Sequence, residues 1–219
     1  MKKYLPAIIL AAVAAVGAGW YLTQGSSSGA SQSVAAAQSV PATEIHALDV
    51  PLGNPDASVV MVEFSSFTCP HCATFHANVF PQIREDFIDT GDILYLKREV
   101  FFDRFGLWAA LVARCGGAPR YHGIVDLIYQ TQSTWAGSAD PSVVANNLRR
   151  LGRQAGLDEA DVEACLADEQ KALELTEFWR TNAETYGINS TPSFVINGQR
   201  YSNMPAAELT RILNEKLGR

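Results

Sequence analysis

From 59 to 64 the chain reads Val-Val-Met-Val-Glu-Phe, an apolar run broken by a single acid. The period then changes. Apolar side chains recur at helical spacing through Cys72, Phe75, Val79 and Ile83. The first stretch predicts a buried strand, and the second predicts a helix from Cys69 to about Asp89. Pro81 falls inside that helix, and because proline removes one backbone hydrogen bond a kink is expected there. Gly91 closes the element, and 92–100 predicts a second strand through Ile93, Leu94, Tyr95 and Leu96. Strand, helix and parallel strand make one crossover unit, right-handed by the usual rule.

Residues 106–186 are helical in pattern almost throughout. Trp108, Leu111, Val112 and Cys115 form one stripe, Ile124, Leu127 and Ile128 a second, and Val143, Val144, Leu148 and Leu151 a third. Asp140-Pro141 and Asp158 read as helix starts, and Gly156 reads as a stop. Extended pattern returns at 193–196, Asn197-Gly198 is a hairpin turn, and 199–201 is the returning strand. A last amphipathic helix begins at Pro205 and carries Leu209, Ile212, Leu213 and Leu217 on one face. The pattern alone gives an α/β domain with a helical insertion.

The N-terminus changes the picture of where such a domain works. Lys2 and Lys3 precede an apolar stretch from Leu5 to Leu22. This is the charged-then-apolar order of an export leader, so 1–22 is expected to be a signal peptide or an N-terminal membrane anchor. The run of about 18 residues sits at the lower limit for spanning a bilayer. Small-residue cleavage sites exist at Ser28-Gly29-Ala30 and Ala35-Ala36-Ala37, so both fates stay open. Residues 23–43, rich in Ser, Ala, Gly and Gln, are expected to be a flexible linker, with the folded domain over 44–219. Net charge is −6 with no basic run, which argues against nucleic acid and against an anionic membrane surface as partner.

The chemistry concentrates in Cys69-Pro70-His71-Cys72, half of the chain's 4 cysteines in one turn. A strand running into a helix puts Cys69 at the helix N-terminus. There the free backbone N–H groups and the positive end of the dipole favour a thiolate, the reactive form of cysteine. Pro70 is tolerated in a first helical turn because it lacks an N–H. His71 can add charge or a hydrogen bond beside the sulfur. Cys72, at i+3, can close a small disulfide ring and serve as the resolving thiol. A structural zinc site would need a second ligand pair at similar spacing, and none of the other cysteines or histidines supplies one. Glu63, an acid in an apolar strand, is either a solvent-facing position or a buried carboxyl. His76, His46 and His122 carry no motif, and His76 reads as a solvated helix residue. Trp135 and Trp179 read as packing residues.

Residues 63–72, Glu-Phe-Ser-Ser-Phe-Thr-Cys-Pro-His-Cys, together with 190–198, Ser-Thr-Pro-Ser-Phe-Val-Ile-Asn-Gly, resemble the bacterial DsbA-like thiol–disulfide oxidoreductases. The resemblance runs from about Gly53 to the C-terminus. It implies a thioredoxin fold interrupted by the helical insertion. It also implies an exported enzyme, periplasmic or tethered to the inner membrane, that introduces disulfides into reduced or unfolded exported proteins. Such an enzyme is reoxidised by a membrane quinone-linked oxidase of the DsbB kind and needs no cofactor and no metal. The resemblance makes Cys69 the attacking thiol and Cys72 its partner. It puts Glu63 beneath the disulfide as a proton carrier, burial being expected to raise its pKa towards neutrality. It matches Thr191-Pro192 to the cis-proline loop that faces the disulfide and offers backbone groups to substrate.

For Cys115 and Cys165 three readings stand: buried free thiols, a second redox pair, or a structural disulfide of the kind some DsbA relatives carry. A disulfide isomerase or reductase is the alternative activity. Isomerases of the superfamily usually add a dimerisation domain, for which 23–58 is too short and too polar, so a monomer is expected. A copper(I)-delivery protein is the alternative from another class, with Met204 or His76 as the extra ligand.

Overall fold

The computed structural model describes residues 38–219. The leader and most of the linker fall outside them. The sheet has six strands: β1 (Gln38–Ser39), β2 (Leu52–Gly53), β3 (Val59–Ser65), β4 (Ile93–Glu99), β5 (Ser193–Ile196) and β6 (Gln199–Ser202), in the order β1-β6-β5-β3-β4-β2. β3 and β4 are parallel and the other pairs antiparallel, with Glu63 opposite Lys97 on one side and Phe194 on the other. β3 is buried on both faces, which is why it reads as a near-continuous apolar run rather than an alternation. Met61 and Val59 pack on one face with Phe75, Phe80 and Ile212. Val62 and Phe64 pack on the other with Leu96, Val195 and Tyr186.

Between β3 and β4 lie α1 (Pro70–Asn78), α2 (Phe80–Ile83) and a wide π-type turn over Arg84–Ile88. A single kinked helix was expected here. The backbone breaks at Val79, two residues before Pro81, and restarts with Pro81 in the first turn of α2, where a missing N–H costs nothing.

The insertion comprises α3 (Arg104–Cys115), α4 (Ala118–Gln130), α5 (Gln132–Trp135), α6 (Pro141–Gln154), α7 (Glu159–Leu166) and α8 (Glu169–Tyr186). Its helix starts follow local chemistry: Asp103 accepts from the Phe105 and Gly106 N–H groups, and Asp140 from that of Ser142. Trp135 is buried at its centre with Nε1 donating to the Ile128 carbonyl at 2.8 Å, and Trp179 packs edge-on against Phe101. Cys115 and Cys165 are joined, with Cα atoms 5.8 Å apart, and the bridge ties α3 to α7. The chain ends with α9 (Ala206–Leu217), capped at Pro205.

The 38–43 end of the expected linker differs from a free tether. Gln38 and Ser39 pair with Arg200 and Gln199, and the Val40 N–H donates to the Gly198 carbonyl at 2.8 Å. β6 would otherwise present an open row of backbone donors and acceptors, and this short strand covers it. Among the described residues no helix is long and apolar enough to cross a membrane.

Candidate active site

Cys69 is the N-cap of α1, with extended backbone, and its side chain makes no capping bond to its own helix. Its carbonyl accepts from the N–H groups of Cys72 at 3.1 Å and Ala73 at 3.2 Å, so the turn is closed around the sulfur. The thiol is partly exposed, and Cys72 is fully buried; both are unbridged in this structure. The Cys69 pKa is lowered to about 5. Hydrogen bonding from the Cys72 thiol is the largest cause, opposed by burial and helped by Thr191 and by the N–H groups of Cys72 and His71. The Cys72 thiol moves the other way, far above an ordinary thiol: burial is the main cause, followed by its bond to Cys69 and by the Glu63 and Cys69 charges. The two sulfurs are thus separated by environment, one held as a thiolate and one as a thiol.

His71 is exposed. What it gives Cys69 is its backbone N–H, a contribution of position rather than of the imidazole. The Thr191–Pro192 bond is cis, and the Thr191 carbonyl lies 3.5 Å from Cys69 Sγ. The loop before β5 therefore meets the catalytic turn, and the two motifs 122 residues apart in sequence form one site.

Glu63 is completely buried on β3, so the solvent-facing reading is excluded. Its expected upward pKa shift is corrected. Burial does push the carboxyl up and is the largest single influence, but the combined pull of His76, Lys97 and Tyr95 wins, and its pKa falls to about 2. His76 Nε2 lies 3.1 Å from Oε1 and 3.2 Å from Oε2, and the Tyr95 hydroxyl donates to Oε2 at 2.5 Å. His76 is therefore a buried partner of Glu63 and not a solvated helix residue. It sits four residues after Cys72 and so shares the inward face of α1.

Three further contributors carry no motif in the sequence. Lys97 is buried opposite Glu63 with its ammonium 4.1 Å from the Phe67 ring centroid and, among the described residues, without a hydrogen-bond partner. Burial lowers its pKa, while Glu99, Glu63 and Cys72 pull it back up. Tyr129 stacks on His76 with ring centroids 4.1 Å apart. Gln132, at the start of α5, donates from Nε2 to the carbonyls of Phe67 at 2.8 Å and Cys69 at 3.0 Å, which clamps the catalytic turn to the insertion. Lys97 had a visible signal, a base at the end of an apolar strand; Gln132 had none.

Neighbouring buried ion pairs are structural. Arg114 grips both oxygens of Glu99 at 3.1 and 2.7 Å, and Arg98 holds both oxygens of Asp49 at 3.0 and 2.7 Å. His122 donates to the Val50 carbonyl at 2.9 Å and His46 stacks on Phe178, so neither reaches the site. Among the described residues no group of three or more His, Cys, Asp and Glu is arranged to hold a metal ion.

A thioredoxin family model matches residues 47–215. A Rickettsia bellii protein named as a candidate protein-disulfide oxidoreductase is 30% identical over 174 residues, which is 77% of this chain and 64% of that protein. The chain thus spans somewhat less than two thirds of the length of that relative. Among solved structures, Wolbachia pipientis alpha-DsbA1 is similar with a TM-score of 0.72 and 25% identity over 80% of this chain and 93% of that one. Oxidised BdbD from Bacillus subtilis has the same fold, with a TM-score of 0.71 at 22% identity over 83% and 100% of the two chains.

Proposed function

The chain belongs to the thioredoxin family, in its DsbA-like group, and on that premise we propose that it is an exported thiol oxidase that introduces disulfides into reduced or unfolded proteins. The observation that carries the reading is the asymmetry of the two sulfurs. Cys69 is a partly exposed thiolate at a helix N-terminus, and Cys72 is a buried thiol.

In the oxidised enzyme a substrate thiolate attacks Cys69 Sγ. A bond forms between substrate and Cys69, the Cys69–Cys72 bond breaks, and Cys72 leaves with the electron pair and takes up a proton. The substrate's second thiolate then attacks its own sulfur in the mixed disulfide and expels Cys69. That departure is fast because a thiol of low pKa is a good leaving group. The substrate has lost two electrons and the enzyme has gained them. An extended substrate segment would lie along the Thr191-Pro192 loop, taking backbone hydrogen bonds as an added strand does.

Reoxidation is assigned to a membrane quinone-linked enzyme of the DsbB kind, and the site of action to the periplasm, soluble or tethered through residues 5–22. Copper delivery has less support: His76 is engaged with Glu63, and Met204 packs with Phe194 and Tyr201 in the core beside α9. The test is catalysis by the full chain. The oxidised protein, without added metal, should convert a reduced dithiol peptide to its disulfide stoichiometrically, and catalytically when an oxidant is supplied. Cys69→Ser should lose this activity completely. Reduction of a disulfide peptide with no oxidation of the dithiol would favour the reductase reading instead.

A further inference from the structure

The buried titratable group that the oxidation steps leave unused is His76. Its imidazole is held on every side. Tyr129 stacks on one face, the Phe80 ring lies 4.8 Å away by centroids, and Phe75 meets it edge-on at 5.7 Å. Nε2 is equidistant, within 0.1 Å, from the two Glu63 oxygens, while Nδ1 is buried and makes no hydrogen bond to any of the described residues. Were Nε2 to accept from a protonated carboxyl, the ring proton would sit on Nδ1, which is buried without an acceptor among the described residues, so the bridging nitrogen is the donor. A donor shared by both oxygens, together with Tyr95 on one of them, suits a carboxylate, which accepts at both.

We propose that His76 is a positioning residue of the oxidation reaction: by bridging both carboxylate oxygens it fixes Glu63 as an anion near Cys72, so that Glu63 acts as a standing negative charge and not as a proton carrier. This rests on the oxidase reading above and adds a reason for the direction of flow. The mixed disulfide has two exits. In one, the substrate's second thiolate expels Cys69 and the substrate leaves oxidised. In the other, Cys72 loses its proton, attacks Cys69 Sγ and expels the substrate still reduced, re-forming the Cys69–Cys72 bond. Only a thiolate attacks. A fixed anion close to Cys72 disfavours its thiolate by like-charge repulsion, in a site where solvent screens weakly. The second exit is therefore slowed, and the intermediate waits for the substrate's own second thiol.

The groups facing Glu63 come from three elements. Tyr95 and Lys97 stand on β4, Cys72 and His76 on α1, and Tyr129 on α4, with Asp126 also on α4 within reach of His76 and Glu63. Tyr121, His122 and Glu99 lie beyond, and interact with Glu63, His76 and Lys97 respectively. Lys97 also pulls Glu63 down, and its influence is smaller than that of His76. Without the imidazole, burial is left opposed by Lys97 and Tyr95 alone, and the carboxyl moves up towards the range where it takes a proton.

The experiment is a partition measurement on the full chain. A mixed disulfide between Cys69 and a dithiol peptide is generated, and the fractions of peptide released oxidised and released reduced are determined from pH 5 to pH 8 (a window of about this width spans a displaced carboxyl titration). His76→Phe, which keeps an aromatic ring in the stack, should increase release of reduced peptide relative to wild type. The increase should be about tenfold for each unit by which Cys72 becomes easier to ionise. It should be greatest at the acid end and shrink as pH rises and Glu63 re-ionises. Glu63→Gln should raise reduced release at all these pH values, and adding His76→Phe to it should change nothing further. A folded His76→Phe protein with the wild-type partition and pH profile would overturn the proposal. So would a His76→Phe effect that persists in the Glu63→Gln background. If His76→Phe does not fold, infrared difference spectra of wild type against Glu63→Gln at pH 7 decide: loss of a carboxylate stretch supports the proposal and loss of a carboxylic-acid stretch overturns it. These spectra require no activity, so they also test the charge of Glu63 if the wild type oxidises nothing and the oxidase reading itself fails.

Discussion

Reduced protein treated with iodoacetamide should be alkylated at Cys69 and not at Cys72, and the rate should stay nearly level as pH is lowered from 8 to 6 (about two units of a range in which an ordinary thiol loses about a hundredfold). Ionisation alone does not decide the contrast. A thiolate of low pKa is also less nucleophilic, with a slope of about 0.4–0.5 per unit, so near pH 7 the gain in thiolate fraction is largely offset. The pH profile separates the two factors. With its pKa at about 5, Cys69 remains about 90% ionised at pH 6, where a thiol of unperturbed pKa is below about 1%. Cys72 is fully buried and held as a thiol, so it should react only when the protein unfolds. In the matching variants, Cys72→Ser should accumulate substrate joined through Cys69, while Cys69→Ser should accumulate none. Equal alkylation of the two thiols in folded protein, or a Cys69 rate that falls tenfold per pH unit below 8, would contradict the assignment.

The second large effect is on stability. In the reduced state the Cys69 pKa is about 5 when folded against 9.0 for the free thiol, a depressed value. Its contribution to folding is therefore complete above about pH 9 and declines as pH falls, to vanish below about pH 5. Cys72, shifted upward, is a thiol in both folded and unfolded chains at neutral pH and opposes folding only once pH rises through the unfolded value near 9. In the oxidised protein neither sulfur titrates. The stability of the reduced protein minus that of the oxidised one should therefore drop between pH 7 and pH 5. The unscreened shift corresponds to about 2 kcal/mol over that interval, and because the Cys69 sulfur is partly exposed solvent reduces it to about 1–2 kcal/mol. That is a convergence of the two melting temperatures by a few degrees, at roughly 2–4 °C per kcal/mol for a chain of this size. Denaturation of both forms at the two pH values checks it, and a difference that is constant or grows on acidification would be the wrong sign.

The parts of this architecture that declare themselves through period were legible in advance. The apolar run at 59–64, the helical stripes of 106–186, the Asn197-Gly198 turn and the last amphipathic helix all report local backbone preference plus one buried face. The strand paired by Gln38 and Ser39 carries no such signal, since its polar side chains are exposed and it is held by backbone pairing to β6 and by the Arg200 guanidinium, which donates to the Gln38 side-chain carbonyl. At the site, Cys69 and Cys72 are legible because their chemistry depends on spacing along one helix. Along the sequence Glu63 was open between a solvent-facing and a buried position, with the resemblance favouring burial; its charge state was not legible, because that depends on His76, Lys97 and Tyr95, which come from two other elements. The same holds for His76: read along α1 alone it is one more polar residue, and only the sheet packed against it makes it a partner. Gln132 touches the catalytic turn across 63 residues of sequence through a side-chain amide bond to a carbonyl, a contact that no residue pattern encodes.

The lowered Cys69 pKa favours the reduced pair and so should make the Cys69–Cys72 disulfide an oxidant. The measurement that tests it most directly is the reduction potential of the Cys69–Cys72 couple, by equilibration of the full chain with glutathione at pH 7. Stabilising the thiolate by one pKa unit corresponds to about 30 mV in a two-electron couple, so the Cys69 shift predicts a value well above that of thioredoxin, near −270 mV. A potential at or below about −270 mV would contradict the account and mark the pair as a reductant.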